Sequence, residues 1–511
     1  METPVDLVAR SVAEETRAEF EERVRANAAF LREELEDGRL DNADPTIGLE
    51  LECYAVTEDG RLVGIPEGTF ETTPVNRELG RHNIEVNTTP QVLGEEGVTE
   101  QAAEIADHLA TARNRLEDEG LQIALDAMWT VPPAQGSWQY LEAVEEKEGL
   151  VFAENMYPSA RYYALDNDIL RDVGGEIDLD VPGVRRSFPT ILLESLATSM
   201  QPHLQVSSVD TFPAYYNASL RTLAPVLALA TNSPFLPGDL YGDADPDRLL
   251  AETFHELRVP VFEQSINAGR DPGKVRFPRD IHGAEDVIDR VVADHTVAPF
   301  FQEWVETGDD EYGDDYADEF WEFDHKHGTY WRWVRGVIGG EFVDPNNDER
   351  SLRIEYRPLP TQPSVRDVVG FQLLVVGLLR GLVAADHPVS NLGWERARAD
   401  FYAVVEDGLD AEIHWVTEAG EHTTDLDVIY GELFAFARRG LREADVSGTT
   451  IDRYLDPIER RWTDRTTPSR WKIERVRDEI SAGKPLTEAI TSMQRAYVEH
   501  ASNGEPFSEW G

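Results

Sequence analysis

GLELE, Gly48 to Glu52, alternates apolar and acidic residues, and three other short stretches repeat its design: NIEVN (Asn83 to Asn87), HLQVS (His203 to Ser207) and RIEYR (Arg353 to Arg357). Successive side chains of a β-strand point to opposite faces. Leu49, Leu51 and Cys53 then face one way, and Glu50 and Glu52 the other. Ile84 and Val86 oppose Asn83, Glu85 and Asn87. Leu204 and Val206 oppose His203, Gln205 and Ser207. Ile354 and Tyr356 oppose Arg353, Glu355 and Arg357. If the four strands share one sheet, its back is core and its front carries four carboxylates, an imidazole, amides and guanidiniums. Clustered carboxylates repel one another and need cations to stay ionised. Oxygen-rich clusters suit Mg²⁺ or Mn²⁺, and the arginines suit phosphate or carboxylate. A strand glutamate is ordinarily just solvated and a lone histidine ordinarily structural. Four matched strands tip the reading toward ligands. The alternation predicts that Glu50, Glu52, Glu85, His203 and Glu355 converge on one divalent-metal site on a concave sheet face.

These stretches lie between residues 48 and 357, so their sheet is assembled from distant parts of the chain. The length of 511 residues would by itself give about three domains. The motif span predicts instead an N-terminal helical segment over 1–45, one catalytic domain over 46–393, and a C-terminal helical region over 394–511 packed on it.

The formal charge is −51, and of 47 basic residues only Lys147, Lys274, Lys326, Lys472 and Lys484 are lysine. The acids are spread through amphipathic segments such as Glu19 to Val24 and form no single tail. Such self-repulsion strains a compact fold in dilute buffer and keeps it soluble in concentrated salt. The chain therefore reads as halophilic and cytoplasmic. The same charge disfavours nucleic acid as a ligand. One cysteine, Cys53, excludes an internal disulfide, and its strand face makes it a core residue. The N-terminus is acidic and lacks the pattern of a secretory leader. The most apolar stretch, Val368 to Ala385, is interrupted by Gln372 and Arg380 and reads as a buried helix, not a membrane span.

Elsewhere, periodicity predicts helices over residues 5–38, from Thr99 to about Glu119, over Pro189–Ser199 and over Tyr215–Thr231. An EDG turn at Glu58 to Gly60 predicts a return strand at Arg61 to Ile65. Residues 131–186, rich in Pro, Gly, Asn and aromatics, read as irregular loops over the active face. The region 239–330 is the least legible. It holds a basic loop (Arg270, Lys274, Arg276, Arg279) that serves either as a phosphate clamp or as charge balance. It also holds an acidic run, GDDEYGDDYADE, and the cluster His325, Lys326, His327. That cluster has metal-like spacing but reads as a solvated loop. Trp331 and Trp333 read as strand packing, with adenine stacking as the alternative.

The motif strands also carry a family resemblance. GLELE resembles the first signature of the glutamate–cysteine ligase family in its second, bacterial and archaeal type, and HLQV is similar to its second metal strand. The run from Tyr216 through LRTLAPVLALATNSPFLPG to Gly238 resembles its most distinctive helix and turn, and RIEYRPLP its late Glu-x-Arg strand. Order and spacing agree over about residues 46 to 385. The segment after Gly238 departs from the family pattern. Its nearest equivalents are SINAGRDPGKVRFPRD (Ser265 to Asp280) and HGTYWRWVRG (His327 to Gly336).

The resemblance implies an α+β, glutamine-synthetase-like fold: a curved antiparallel sheet forming a funnel, backed by helices. It implies ATP, Mg²⁺ (or Mn²⁺), and an amide formed between the side-chain carboxylate of glutamate and an amine, cysteine in the first instance. Glu50, Glu52, Glu85, His203 and Glu355 would be the metal ligands. Arg357, with Arg353, would act on the transferring phosphate, and Gln205, Arg276 and Arg279 would contact the nucleotide. Another amine or acid substrate, or a non-catalytic relative that keeps nucleotide and metal binding, are the alternatives.

The residues themselves are compatible with that chemistry. No GxxxxGK[ST] loop or GxGxxG fingerprint is present, so phosphates would be held by metals and arginines. Phosphoryl transfer needs positioning and charge neutralisation more than covalent help.

Overall fold

A computed structural model of the chain describes residues 3–305, 316–339 and 350–510. All four alternating stretches are strands of one sheet. In chain order the strands are β1 (Thr46–Thr57), β2 (Asn76–Arg77), β3 (Asn83–Asn87), β4 (Gln91–Val92), β5 (Leu121–Ala124), β6 (Met200–Gln205), β7 (Val334–Ile338) and β8 (Leu352–Tyr356). They lie in the order β7-β8-β6-β1-β3-β2, with β4 and β5 also on β1, and each pairing is antiparallel. The long β1 changes neighbours along its length: β6 and β4 near its start, β3 in the middle, β5 at its end. The sheet curls around it.

The period of two fixes the register. Ile47, Leu49, Leu51, Cys53, Ile84, Val86, Leu204, Ile354 and Tyr356 are all buried behind the sheet. A slip of one residue would exchange this set with the charged one. The apolar helix Val365–Ala384 lies in that core. Its Gln372, which interrupts the apolar run, donates from Nε2 to the β1 carbonyl of Gly48 at 3.0 Å. Among the described residues this is the one helix long and apolar enough to cross a membrane, and 83% of its apolar window is buried in the protein. Glycine lets the helix Leu426–Arg442 approach it closely. A Cβ on Gly381 would stand 2.1 Å from the Phe436 carbonyl oxygen, and one on Gly440 2.0 Å from that of Gly377.

The helices beyond residue 394 are tied to the core by buried ion pairs. Arg461 meets Asp367 at 2.8 Å with both side chains inaccessible. Lys472 meets Asp126 at 2.5 Å, just before the sheet's second half. Three of the five lysines (Lys274, Lys326 and Lys472) are buried. Buried acids such as Asp126, Asp166 and Asp367 accompany them, so the surface keeps the acidic excess of the whole chain. Thermal stability is expected to rise steeply with KCl, because the Debye length shrinks from about 10 Å at 0.1 M to about 3 Å at 1 M. Equal melting temperatures by circular dichroism in dilute buffer and in multimolar KCl would contradict this.

Several local expectations change. Residues 131–186 are not irregular: they hold helices Ser137–Glu142 and Ala160–Val173, a hairpin of Val144–Lys147 with Leu150–Ala153, and most of a second, Ile177–Val181 with Val184–Phe188. Their glycines mark tight turns, Gly149 and Gly183 with positive φ, between elements too short to show a period. The helix expected at Pro189–Ser199 is a 3₁₀ segment, Ile191–Leu196, because the chain must extend at Met200 to enter β6. The return after the EDG turn makes only a single bridge, Val56 to Leu62. The first eight residues of the acidic run Gly308 to Glu319 lie outside the described residues. His325, Lys326 and His327 are not a solvated loop. They are buried in the helix Trp321–Gly328, where the His325 ring stacks on Trp321 and bonds the Ala298 carbonyl.

Candidate active site

Cross-strand register assembles the charged face row by row. Arg335 on β7 lies opposite Glu355 on β8, Glu355 opposite His203 on β6, and His203 opposite Gly48 on β1. In the next rows Gln201 lies opposite Glu50, and Glu52 opposite Glu85. Two trios of ligand atoms result, each within 4.8 Å: Glu50, His203 and Glu355, and Glu52, Glu78 and Glu85. The five expected ligands thus share one face but fall into two groups, not one. The second is completed by Glu78, just after β2, which the alternation did not reveal.

Burial and mutual repulsion control the charges here. Desolvation, reinforced by Glu355, pushes the Glu50 carboxyl up to about 7 against the pull of Arg357, Arg335 and Arg353. Desolvation, then Glu50, Glu78 and Glu52, raise Glu85 well above the carboxylate range. Glu52 is raised by desolvation and partly relieved by hydrogen bonds from Ser199: its backbone N–H donates at 2.6 Å and its hydroxyl at 3.0 Å. Glu355 is also desolvated, but Arg335 and Arg357 hold it well below the usual range. His203 is pushed down to about 3 by desolvation and then by Arg353, so its ring is neutral. Its buried Nε2 has no hydrogen-bond partner among the described residues and lies 3.4 Å from Glu50.

A neutral imidazole nitrogen without a hydrogen-bond partner among the described residues, facing the ionised Glu355 and a Glu50 that resists ionisation, fits a divalent metal. Metal must displace the proton that Glu50 keeps below its pKa of about 7. Affinity for Mn²⁺ is therefore expected to fall about tenfold per pH unit on acidifying below that pKa. Calorimetric titration at several pH values checks this, and a flat profile would exclude Glu50 as a ligand. Without metal, the raised pKa makes the folded state hold a proton that the unfolded chain has released. Stability then falls as pH rises from the ordinary carboxylate range to about 7.

The guanidiniums border the first trio. Arg357 donates to Gln201 Oε1 at 2.5 Å and ion-pairs with Glu355. Arg335 Nε meets the other Glu355 oxygen at 2.8 Å. Arg353 donates to the Gly339 carbonyl at 2.6 Å, and its buried Nε has no partner among the described residues. Gln205, opposite both Thr46 and Arg353, accepts from the Thr46 hydroxyl at 3.3 Å. A small polar cavity beside the second trio is bordered by Glu52, Ser199, Glu194, Arg258, Arg357 and Trp333. The Trp333 indole is buried and donates to Glu263 at 2.8 Å, so it packs and does not stand free for stacking.

Two expected nucleotide contacts lie elsewhere. Arg279 is exposed, stacked on Trp394 and 3.6 Å from Glu395. Arg276 bridges by its main chain to Arg332 and lines a separate cavity. The strand period places Arg332 on the face opposite Trp333 and Arg335. Sequence reading missed Glu78, Arg335, Glu194 and Arg258. Arg335 was visible in the alternation of WRWVRG, and Glu194 as the one acid in ILLESL. Arg258 carries no local signal, since only the fold brings it to the sheet.

Residues 46–499 match the model of glutamate-cysteine ligase family 2. The match runs past residue 385, where the motifs stop. A comparison with curated proteins finds no match. Among solved structures the chain is similar to a glutamate–cysteine ligase from Francisella tularensis in complex with AMP, with TM-score 0.51, 13% identity, and 90% of each chain covered. It also aligns with a bifunctional glutathione synthetase from Pasteurella multocida, at TM-score 0.47 and 14% identity over 93% of this chain and 55% of that one. The α+β, glutamine-synthetase-like fold implied by the motifs is the fold found, with its curled antiparallel sheet and helical backing.

Proposed function

We propose, on the premise that this chain belongs to glutamate-cysteine ligase family 2, that this ATP-dependent carboxylate–amine ligase joins the γ-carboxylate of glutamate to the amine of cysteine. The observation that carries the reading is the pair of acid trios on one concave face, bordered by Arg335, Arg353 and Arg357.

Glu50, His203 and Glu355 would hold one Mg²⁺ or Mn²⁺, and Glu52, Glu78 and Glu85 another. Bound there, the metals would neutralise phosphate oxygens and draw ATP and the acceptor carboxylate together. A γ-carboxylate oxygen of glutamate attacks the γ-phosphorus of ATP, and ADP leaves with the electron pair of the broken P–O bond. The amine then attacks the acyl carbon, loses a proton, and expels phosphate. Arg357 would contact the transferring phosphoryl group, with Arg353 assisting. No enzyme nucleophile is needed, and Cys53 is buried behind the sheet.

The small cavity supports an amino-acid head group. Arg258 would take a carboxylate, and Glu194 an ammonium. Glu194 has no hydrogen-bond or ion-pair partner among the described residues, and desolvation followed by Glu52 pushes its carboxyl up to about 8. The formal charge of −51 fits work in concentrated cytoplasmic salt.

The test is ADP release from ATP and Mg²⁺ in molar KCl, with glutamate and a panel of amines, and mass spectrometry of the product. Cysteine-dependent turnover yielding γ-glutamylcysteine is expected. Turnover with another amine only would move the chain to a different acceptor. Binding of ATP and metal without turnover on any amine would reject catalysis.

A further inference from the structure

We propose that a second site, on the opposite face of the sheet edge from the acid trios, binds a small multiply charged anion bearing phosphate or carboxylate groups. The site is a cavity of about 600 Å³ between the helices Glu14–Glu36, Glu285–Ala293 and Trp321–Gly328 and the loop at residues 270–276. That volume falls within the range of small-molecule sites, roughly 300–1,000 Å³.

Of the four cations lining this cavity, Arg25 and Arg270 are ion-paired, and Lys326 and Arg276 have no ion pair among the described residues. Lys326 is 2% exposed. Its ammonium makes one hydrogen bond, to the Val292 carbonyl at 2.9 Å, and no ion pair among the described residues. An ammonium has three donors, so two are unspent. Arg276 is partly buried and has neither a hydrogen bond nor an ion pair from its guanidinium among the described residues. Arg270, with its side chain 8% exposed, pairs with Asp172 but keeps a buried Nε without a partner among the described residues.

Two of the nearby acids are already committed. Asp294 takes Lys274 at 2.5 Å and Arg332 at 2.6 Å, and Glu21 faces Arg25 at 3.4 Å. The remaining one, Asp271, is exposed at the rim. Buried donors are kept unpaired only at a cost to the fold, and an anion with several acceptor oxygens would satisfy all three groups at once. The site is not part of the catalytic machinery. Arg276 runs beside Arg332, whose side chain alternates away from Trp333 and Arg335.

The test uses the full chain without Mg²⁺ or ATP, at constant ionic strength, titrated calorimetrically with inorganic phosphate and separately with citrate. Saturable 1:1 binding of at least one probe is expected, weakened tenfold or more by Lys326→Met and by Arg276→Gln, and unchanged by Arg357→Ala. A preference for phosphate assigns the site to phosphate-bearing metabolites, and a preference for citrate to polycarboxylates. Without ligand, Lys326→Met should melt no lower than the parent, since it replaces an under-bonded ammonium by an apolar chain of similar shape. Failure of both probes to bind overturns the proposal. So does binding that is lost in Arg357→Ala and kept in Lys326→Met, or a Lys326→Met protein that melts well below the parent.

Discussion

Arg357→Ala is expected to lower kcat by roughly 10²-fold or more, the scale of losing one preorganised charge contact in a transition state. The guanidinium is held by Gln201 and Glu355, so it does not reorganise when negative charge shifts during phosphoryl transfer. It should therefore act on the chemical step more than on substrate binding, and kcat should fall further than KM rises. Arg357→Lys should recover only part of the loss, because an ammonium cannot reproduce the planar fork. Steady-state ADP release at high salt, with circular dichroism as the fold check, measures this. A folded Arg357→Ala enzyme with near-parental kcat would remove Arg357 from the site.

Asp126→Ala is expected to destabilise the protein by about 3–5 kcal/mol, the cost of leaving a buried charge without its partner. Lys472 is 1% exposed and Asp126 fully buried. Lys472 also donates to the Asn232 carbonyl at 2.7 Å, and Asp126 also accepts from Gln494 at 2.6 Å. The pair therefore locks the helices Pro468–Ser481 and Leu486–Ser502 onto the segment that follows β5. The double variant Asp126→Leu with Lys472→Met should lose much less than either single change, since removing both charges leaves neither one orphaned. Urea denaturation in high KCl reads both numbers. A single variant as stable as the parent would show that the pair does not hold the C-terminal helices.

The alternation in GLELE, NIEVN, HLQVS and RIEYR by itself determined four strands, each with an apolar side and a polar, charged side. A period of two leaves no freedom in which side chains share a face once one face is core. It likewise determined that Cys53 is interior and that Val368 to Ala385 is a core helix, since Gln372 and Arg380 break the apolar run. Strand neighbours and register are long-range facts, and only the tertiary structure decided them. Placing β3 against β1 sets Glu85 opposite Glu52, and placing β6 between β1 and β8 sets His203 beside both Glu50 and Glu355. That pairing split one expected ligand cluster into two and recruited Glu78 from just beyond a two-residue strand too short to show any period. A separate bridge to Arg332 sets Arg276 at a cavity that shares no lining residue with the acid trios. A side chain's direction there depends on which strand it bridges, and the sequence around GKVRFPRD carries no trace of Arg332 as its partner. The buried Lys326 and Lys472 follow the same rule. Composition marks lysine as a surface residue, and only the packing of distant helices decides which ammonium loses its water.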